Sequence, residues 1–135
     1  MLISSRGRYA LRVLVDLAQR REQGYTPLKD VAVRQGISPK YMEKILPVLT
    51  KNGYVEGIHG KGGGYRFAKD PAQCSVWDIL RVTEGDMAPV ACMESGAENC
   101  QREDCCSTVK MWRDFGKLVN AYFSGITIAD LMERK

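Results

Sequence analysis

A chain of 135 residues, 44% apolar and 27% charged, can form one packed domain with an extension and has an ordinary globular composition. No run approaches the roughly 18 apolar residues of a membrane span, and no apolar stretch of a signal peptide follows the start, so a cytoplasmic protein is expected. The net charge of +4 is uneven: residues 1–70 hold 13 Lys and Arg against 6 Asp and Glu, whereas residues 71–135 hold 7 against 10. Such asymmetry points to a polyanion partner for the first half, with a merely solvated basic face as the alternative.

From Arg6 to about Gln23, the residues Tyr9, Ala10, Val13, Leu14, Leu17 and Ala18 make one helical stripe, ended by Gly24. Thr26 is placed to cap a short helix that opens on Pro27 and turns Leu28, Val31 and Ala32 inward. Gly36 breaks the chain, and Ser38 caps a third helix with Pro39 in its first turn. In that helix Met42, Ile45, Leu46 and Leu49 face the core, which leaves Lys40, Tyr41, Glu43 and Lys44 pointing outward. Two short helices around a glycine turn carry the helix-turn-helix signature, although any helical hairpin shares it. Pro47 falls inside the third helix, where proline costs roughly 3 kcal/mol, so a kink or tightening is expected there.

After Gly53 the period changes to two. Tyr54–Ile58 and Tyr65–Ala68 read as strands joined by the glycine-rich, basic segment His59-Gly60-Lys61-Gly62-Gly63-Gly64. A nucleotide-binding P-loop needs a following helix and a Gly-Lys-Ser/Thr ending; both are missing, so the segment reads as the tip of a hairpin wing. Ser75-Val76-Trp77-Asp78 is a capping box for a helix to about Glu84, closed by Gly85. Residues 86–106 lack periodicity and hold four cysteines. A long helix from about Ser107 to Ser124 carries more apolar surface than one stripe requires, and Thr127 caps a final short helix. The fold class is thus mainly α with a small β-hairpin wing.

Three parts in order point to DNA. The helix pair presents Ser38, Lys40, Tyr41 and Lys44 to a major groove. The wing offers His59 and Lys61 to phosphates or the minor groove. The first helix opens with Ser4, Ser5, Arg6 and Arg8, suited to the backbone. Glu43 lies on the outer face of the third helix. It either accepts from a cytosine amino group, setting sequence choice partly by exclusion, or pairs with Lys40 or Lys44 as an ordinary surface residue.

Five cysteines at 74, 92, 100, 105 and 106, an odd number in a chain with no secretion signal, argue against a disulfide scaffold and for metal binding or redox sensing. Thiolates are soft ligands suited to iron–sulfur clusters, and a loop of the length of 86–106, unlike a single helix, could wrap around one. Lys110 and Arg113 could offset part of its charge. Cys74 reads as a small buried hydrophobe, and Trp112 as core or dimer seam. His59 is the only histidine, and no catalytic constellation or nucleotide fingerprint is present, so an enzyme is not expected.

The segments Ser4–Arg12, Gly36–Lys44 and Gly60–Tyr65, with Cys92, Cys100 and Cys106 ahead of Trp112, resemble the Rrf-two family of winged-helix repressors over nearly the whole chain. The resemblance implies a winged helix-turn-helix over 1–85, a cysteine-bearing sensor loop over 86–106, and a dimerisation helix with a short C-terminal helix over 107–135. It also implies a homodimer on imperfect palindromes of double-stranded DNA, an acidic residue at Glu43 that tunes site choice, and a cluster on Cys92, Cys100 and Cys106. Whether that cluster is [2Fe-2S] or [4Fe-4S] stays open. The chain departs from the family where members place a fourth ligand: a histidine three residues after the last loop cysteine is Val109 here, and an acidic residue near the start of the first helix is Arg8. Cys105, Asp104, Glu103, a small thiol or water are the remaining candidates. His59 also replaces the usual wing arginine. The alternatives are a DNA-binding regulator with a thiol-redox or zinc site, and a small iron–sulfur electron carrier or accessory protein.

Overall fold

The computed structural model describes residues 3–133; residues 1–2 and 134–135, at the outer ends of the first and last expected segments, lie outside them. The elements are α1 (Ser5–Gln19), α2 (Leu28–Gln35), α3 (Pro39–Lys51), β1 (Val55–Ile58), β2 (Gly64–Phe67), α4 (Val76–Glu84), α5 (Val109–Ser124) and α6 (Ile128–Glu133). The two strands pair antiparallel, with Glu56 opposite Arg66 and Gly57 opposite Tyr65.

One core joins the inner faces of α1, α2, α3, α4 and α6 with the base of the hairpin. Val13, Leu14, Met42, Ile45, Leu49, Ile79 and Ile128 are fully enclosed there. Removing such side chains from water drives the packing, at about 1.5–3 kcal/mol for each large one. A smaller cluster of Val76, Leu80 and Met87, with Ile3 and Phe123 against it, ties the start of the loop to the chain's beginning. Cys74 is buried in the main core, as expected. The segment before α6 is stitched back by Val76 N–H to Ile126 C=O (2.8 Å) and Ile128 N–H to Cys74 C=O (2.9 Å).

Local capping behaves as the sequence suggests at three helices. Ser38 accepts from Tyr41 N–H and Ser75 from Asp78 N–H. Thr127 and Asp130 cap each other reciprocally. Three details differ. The first helix stops at Gln19, where the Arg21 guanidinium takes the Ala18 carbonyl (2.7 Å) and the chain tightens into a 3-10 turn over Arg21–Gln23. Thr26 does not cap α2, because its backbone pairs with Tyr65 in both directions (2.8 Å each) as an isolated β-bridge on the edge of the wing. Pro47 leaves α3 unbroken to Lys51. The carbonyl that a residue at 47 would have bonded belongs to Glu43, on the exposed side where water can take it.

Candidate nucleic-acid interface and cysteine pocket

The scaffold beneath α3 is held by a buried carboxylate. Asp16, 4% exposed, lies on the inner face of α1 and accepts from Arg34 Nε (3.0 Å), Arg34 Nη2 (2.6 Å) and Gln35 Nε2 (2.9 Å). Burial pushes its carboxyl up, but the hydrogen bonds from Arg34 and Gln35 and the charges of Arg34 and Arg20 outweigh that and hold it below the usual carboxylate range. Arg12 adds a second tie, its guanidinium reaching the Gln35 backbone carbonyl and side chain at the end of α2. These contacts set the angle between α1 and the helix pair. In the sequence their only signal is a lone aspartate beside Val13, Leu14 and Leu17 in an apolar stripe, where a buried carboxylate needs partners.

On this scaffold Ser38, Lys40, Glu43 and Lys44 are exposed on α3. Tyr41, expected to point outward, is half-buried, its ring in an edge contact with Tyr9 at 5.2 Å between centroids, which braces α3 against α1. Arg6 and Arg8 are exposed at the start of α1, and Arg8 donates to Ser5 Oγ (3.2 Å). Ser4 is exposed too, but its hydroxyl and amide are both taken by Glu84.

His59 and Lys61 project from the wing tip. The wing is anchored by Arg66, which pairs with Glu56 across the hairpin and lies over the Tyr25 ring at 4.7 Å. The Tyr65 ring packs over Gly57, where a Cβ would come within 2.9 Å of it.

The loop before α5 gathers the expected cysteines. Cys92, Cys100 and Cys106 line one cavity of about 230 Å³, with Val90, Val109 and Trp112 as apolar wall and Glu98 and Glu103 at its edge. Trp112 therefore belongs to this cavity, which sequence reasoning had placed in core or seam. Of the fourth-ligand candidates only Glu103 lines it, and it accepts from Arg113 (2.8 Å); Cys105 and Asp104 do not line it. Lys110 is spent on Asp114 (2.7 Å). The Cys106 thiol is held below the usual thiol range by hydrogen bonds from the Thr108 hydroxyl and amide and from the Val109 amide at the start of α5. Among the described residues no three His, Cys, Asp or Glu side chains converge closely enough to hold a single metal ion. An iron–sulfur cluster does not need such convergence, since each thiolate meets a different corner of it. Three soft donors around one apolar-walled cavity thus fit a cluster better than a lone zinc.

The helix α5 has no buried residue. Met111, Leu118 and Tyr122 are exposed, and with Phe115 they recur at spacings of four, three and four along one face. No described helix is long and apolar enough to cross a membrane.

A helix pair braced on α1, a two-stranded wing bridged by Thr26 and an exposed basic α3 define a winged helix-turn-helix DNA-binding regulator. The chain belongs to the Rrf2 family, described as "Iron-dependent Transcriptional regulator", whose model matches residues 3–134. It is 35% identical over 135 residues to the HTH-type transcriptional regulator IscR of Serratia proteamaculans, covering 100% of this chain and 81% of that one. The IscR of Yersinia enterocolitica matches to the same extent. Among solved structures, CymR, the global cysteine regulator of B. subtilis, has a TM-score of 0.81 at 30% identity, covering 100% of this chain and 98% of that one. The IscR of T. potens has a TM-score of 0.78 at 32% identity, covering 98% and 87%.

Proposed function

We propose that this regulator is a cytoplasmic homodimer that binds imperfect palindromic DNA, usually to repress, under the control of an iron–sulfur cluster in the loop 86–106. The observation that carries the reading is the placement of Cys92, Cys100 and Cys106 around one cavity at the foot of α5. When bound, the cluster would supply a reversible redox- and iron-sensitive crosslink of the loop. Glu103 or an exogenous ligand completes the set in place of Cys105. Residues 1–85 serve as the DNA-binding part and 107–135 as the dimerisation segment, with the stripe Met111, Phe115, Leu118 and Tyr122 as the seam between subunits.

In the DNA-binding part, Lys40 and Lys44 reach into the major groove beside Ser38 and the hydroxyl of Tyr41, while Glu43 rejects sites that offer it no donor. Arg6 and Arg8, and Lys61 with His59, hold phosphates on either side, while Ser4, whose donors are engaged by Glu84, supports the start of α1 instead of binding a phosphate itself.

Two outcomes test this. Anaerobic reconstitution with ferrous iron and sulfide should give a brown protein whose visible absorbance is lost in the triple variant Cys92/Cys100/Cys106→Ala and kept in Cys105→Ala. A colourless wild type that binds zinc stoichiometrically would establish the zinc alternative instead. On DNA, Lys40→Ala with Lys44→Ala should weaken retardation of a palindromic promoter fragment about tenfold or more and flatten the salt dependence, in complexes of two chains per duplex. Unchanged affinity and salt slope would remove α3 as the reading helix, and failure to retard any fragment in either redox state would favour the electron-carrier alternative.

A further inference from the structure

The start of α1 is capped from far away. Glu84 Oε1 accepts from Ser4 N–H (2.9 Å), Ser4 Oγ–H (2.7 Å) and Gly7 N–H (3.2 Å). Ser4 stands at the N-cap position yet makes no local capping bond. The helix's own ladder begins with Arg8 N–H to Ser4 C=O (3.1 Å), so the Gly7 amide depends on Glu84. A negative carboxylate at this end is also favoured by the helix dipole. The approach needs a glycine, because a Cβ at position 7 would lie 2.4 Å from Glu84 Oε1.

Glu84 is the last residue of α4, and the chain swings at Gly85 (φ +82°) straight into the cysteine loop. Two positions on, Asp86 accepts from Ala88 N–H (2.8 Å) and from Ser95 N–H (2.5 Å), which fastens the stretch of loop between Cys92 and Cys100 to the start of the loop, two residues after Glu84. Met87 and Ile3 share one small apolar cluster, so the two ends are packed together as well as bonded. Two hydrogen-bonded ties, Ser95 to Asp86 and Glu84 to Ser4 and Gly7, are thus joined through the short covalent segment Glu84–Gly85–Asp86, which links the cysteine-bearing loop to the start of α1.

We infer that Glu84 is a positioning residue that holds the exposed basic start of α1 and passes rearrangements of the cysteine loop to it. This deepens the proposed DNA-binding reading, on which only the final link, from α1 to DNA, depends. A shift of the loop moves Asp86 through Ser95, turns the chain at Gly85 and releases or tightens the carboxylate on Ser4 and Gly7. That in turn decides how firmly Arg6 and Arg8 are presented.

The test is amide hydrogen exchange on the full chain, read at Gly7, with retardation of a promoter fragment in parallel. Ser95→Pro removes the amide that Asp86 holds without touching a cysteine or a basic residue, and should speed Gly7 exchange about tenfold. Glu84→Ala and Gly7→Ala, which delete or evict the carboxylate, should speed exchange at position 7 at least as much. Glu84→Gln, which keeps an acceptor oxygen, should restore most of the protection. In the Glu84→Ala background Ser95→Pro should add nothing further. Amides of α3 and α6, unchanged throughout, report that the fold is intact; any variant that alters them is read at lower temperature, where the wild-type pattern of those helices returns. Additive effects of Ser95→Pro and Glu84→Ala, or Gly7 exchange within twofold of wild type in Ser95→Pro, would overturn the inference. Coupled exchange with no retardation of DNA by wild type would overturn the DNA reading alone, and coupled exchange with unaltered affinity would overturn the link from α1 to DNA.

Discussion

Gly64→Ala is expected to lower the thermal midpoint by about 10 °C and to detach the wing from the core. Gly64 has φ +148°, and a Cβ there would lie 2.2 Å from the Thr26 carbonyl oxygen and 2.4 Å from its carbon. Those are backbone atoms, fixed by the pairing of Thr26 with Tyr65, so neither can retreat without breaking the bridge between Thr26 and the wing. Backbone strain of about 1 kcal/mol and overpacking of about 1–3 kcal/mol make about 2–4 kcal/mol in all. At roughly 3–5 °C per kcal/mol for a chain of this length, that is the stated shift. Gly36→Ala is the control. Gly36 is also left-handed, at φ +65°, but nothing lies within 4 Å of its would-be Cβ. Its cost should stay near 1 kcal/mol, from conformational strain alone. Equal midpoints for the two variants, measured by calorimetry, would mean that the wing is not held by the Thr26–Tyr65 pairing.

Asp16→Ala is expected to cost about 3 kcal/mol in urea unfolding at pH 7. Removing one member of a buried ion pair typically costs 3–5 kcal/mol because the partner's charge is left without compensation. The lower end applies here, since Arg34 is 30% exposed and can turn to water. The same group makes stability depend on pH. Its folded carboxyl titrates below the ordinary value of 3.8 that it has unfolded. Its contribution is therefore complete above that value and is lost as pH falls through the lower, folded one. Wild type minus Asp16→Asn, from urea midpoints between pH 7 and pH 2.5, should be constant down to about pH 4 and shrink below it. A difference that stays constant to the lowest pH would mean that the carboxylate is not held charged by Arg34 and Gln35.

Both effects sit on the path from sequence to function. Asp16 and Arg12 fix the pitch of the helix pair on α1, Gly64 lets the wing join at Thr26, and Tyr9 braces Tyr41. Together they aim an exposed basic helix and a basic hairpin tip. None of these contacts is local in the chain: Asp16 meets Arg34 across two helices, and Thr26 meets Tyr65 across the helix pair.

What the chain alone determined is whatever depends on near neighbours. Apolar spacing in Val13, Leu14 and Leu17, or in Met42, Ile45 and Leu49, marks a buried helical face because helix geometry repeats every 3.6 residues. Ser38, Ser75 and Thr127 announce helix starts because their side chains reach only amides two or three positions ahead. The hairpin follows from a change of period around a glycine run. The cysteine spacing was legible as a loop site, though not which carboxylate stands beside it. Only the tertiary structure decided where the polar groups of distant segments meet. Thr26 became a bridge to the wing instead of a cap because Tyr65 lay opposite its backbone, and Tyr41 was half-covered because Tyr9 offered its ring edge. Glu84, unremarkable at the end of its helix, capped α1 because Gly7 left room. Such pairings join residues tens of positions apart, and their energy exists only once the core has brought the elements together, so no local pattern encodes them.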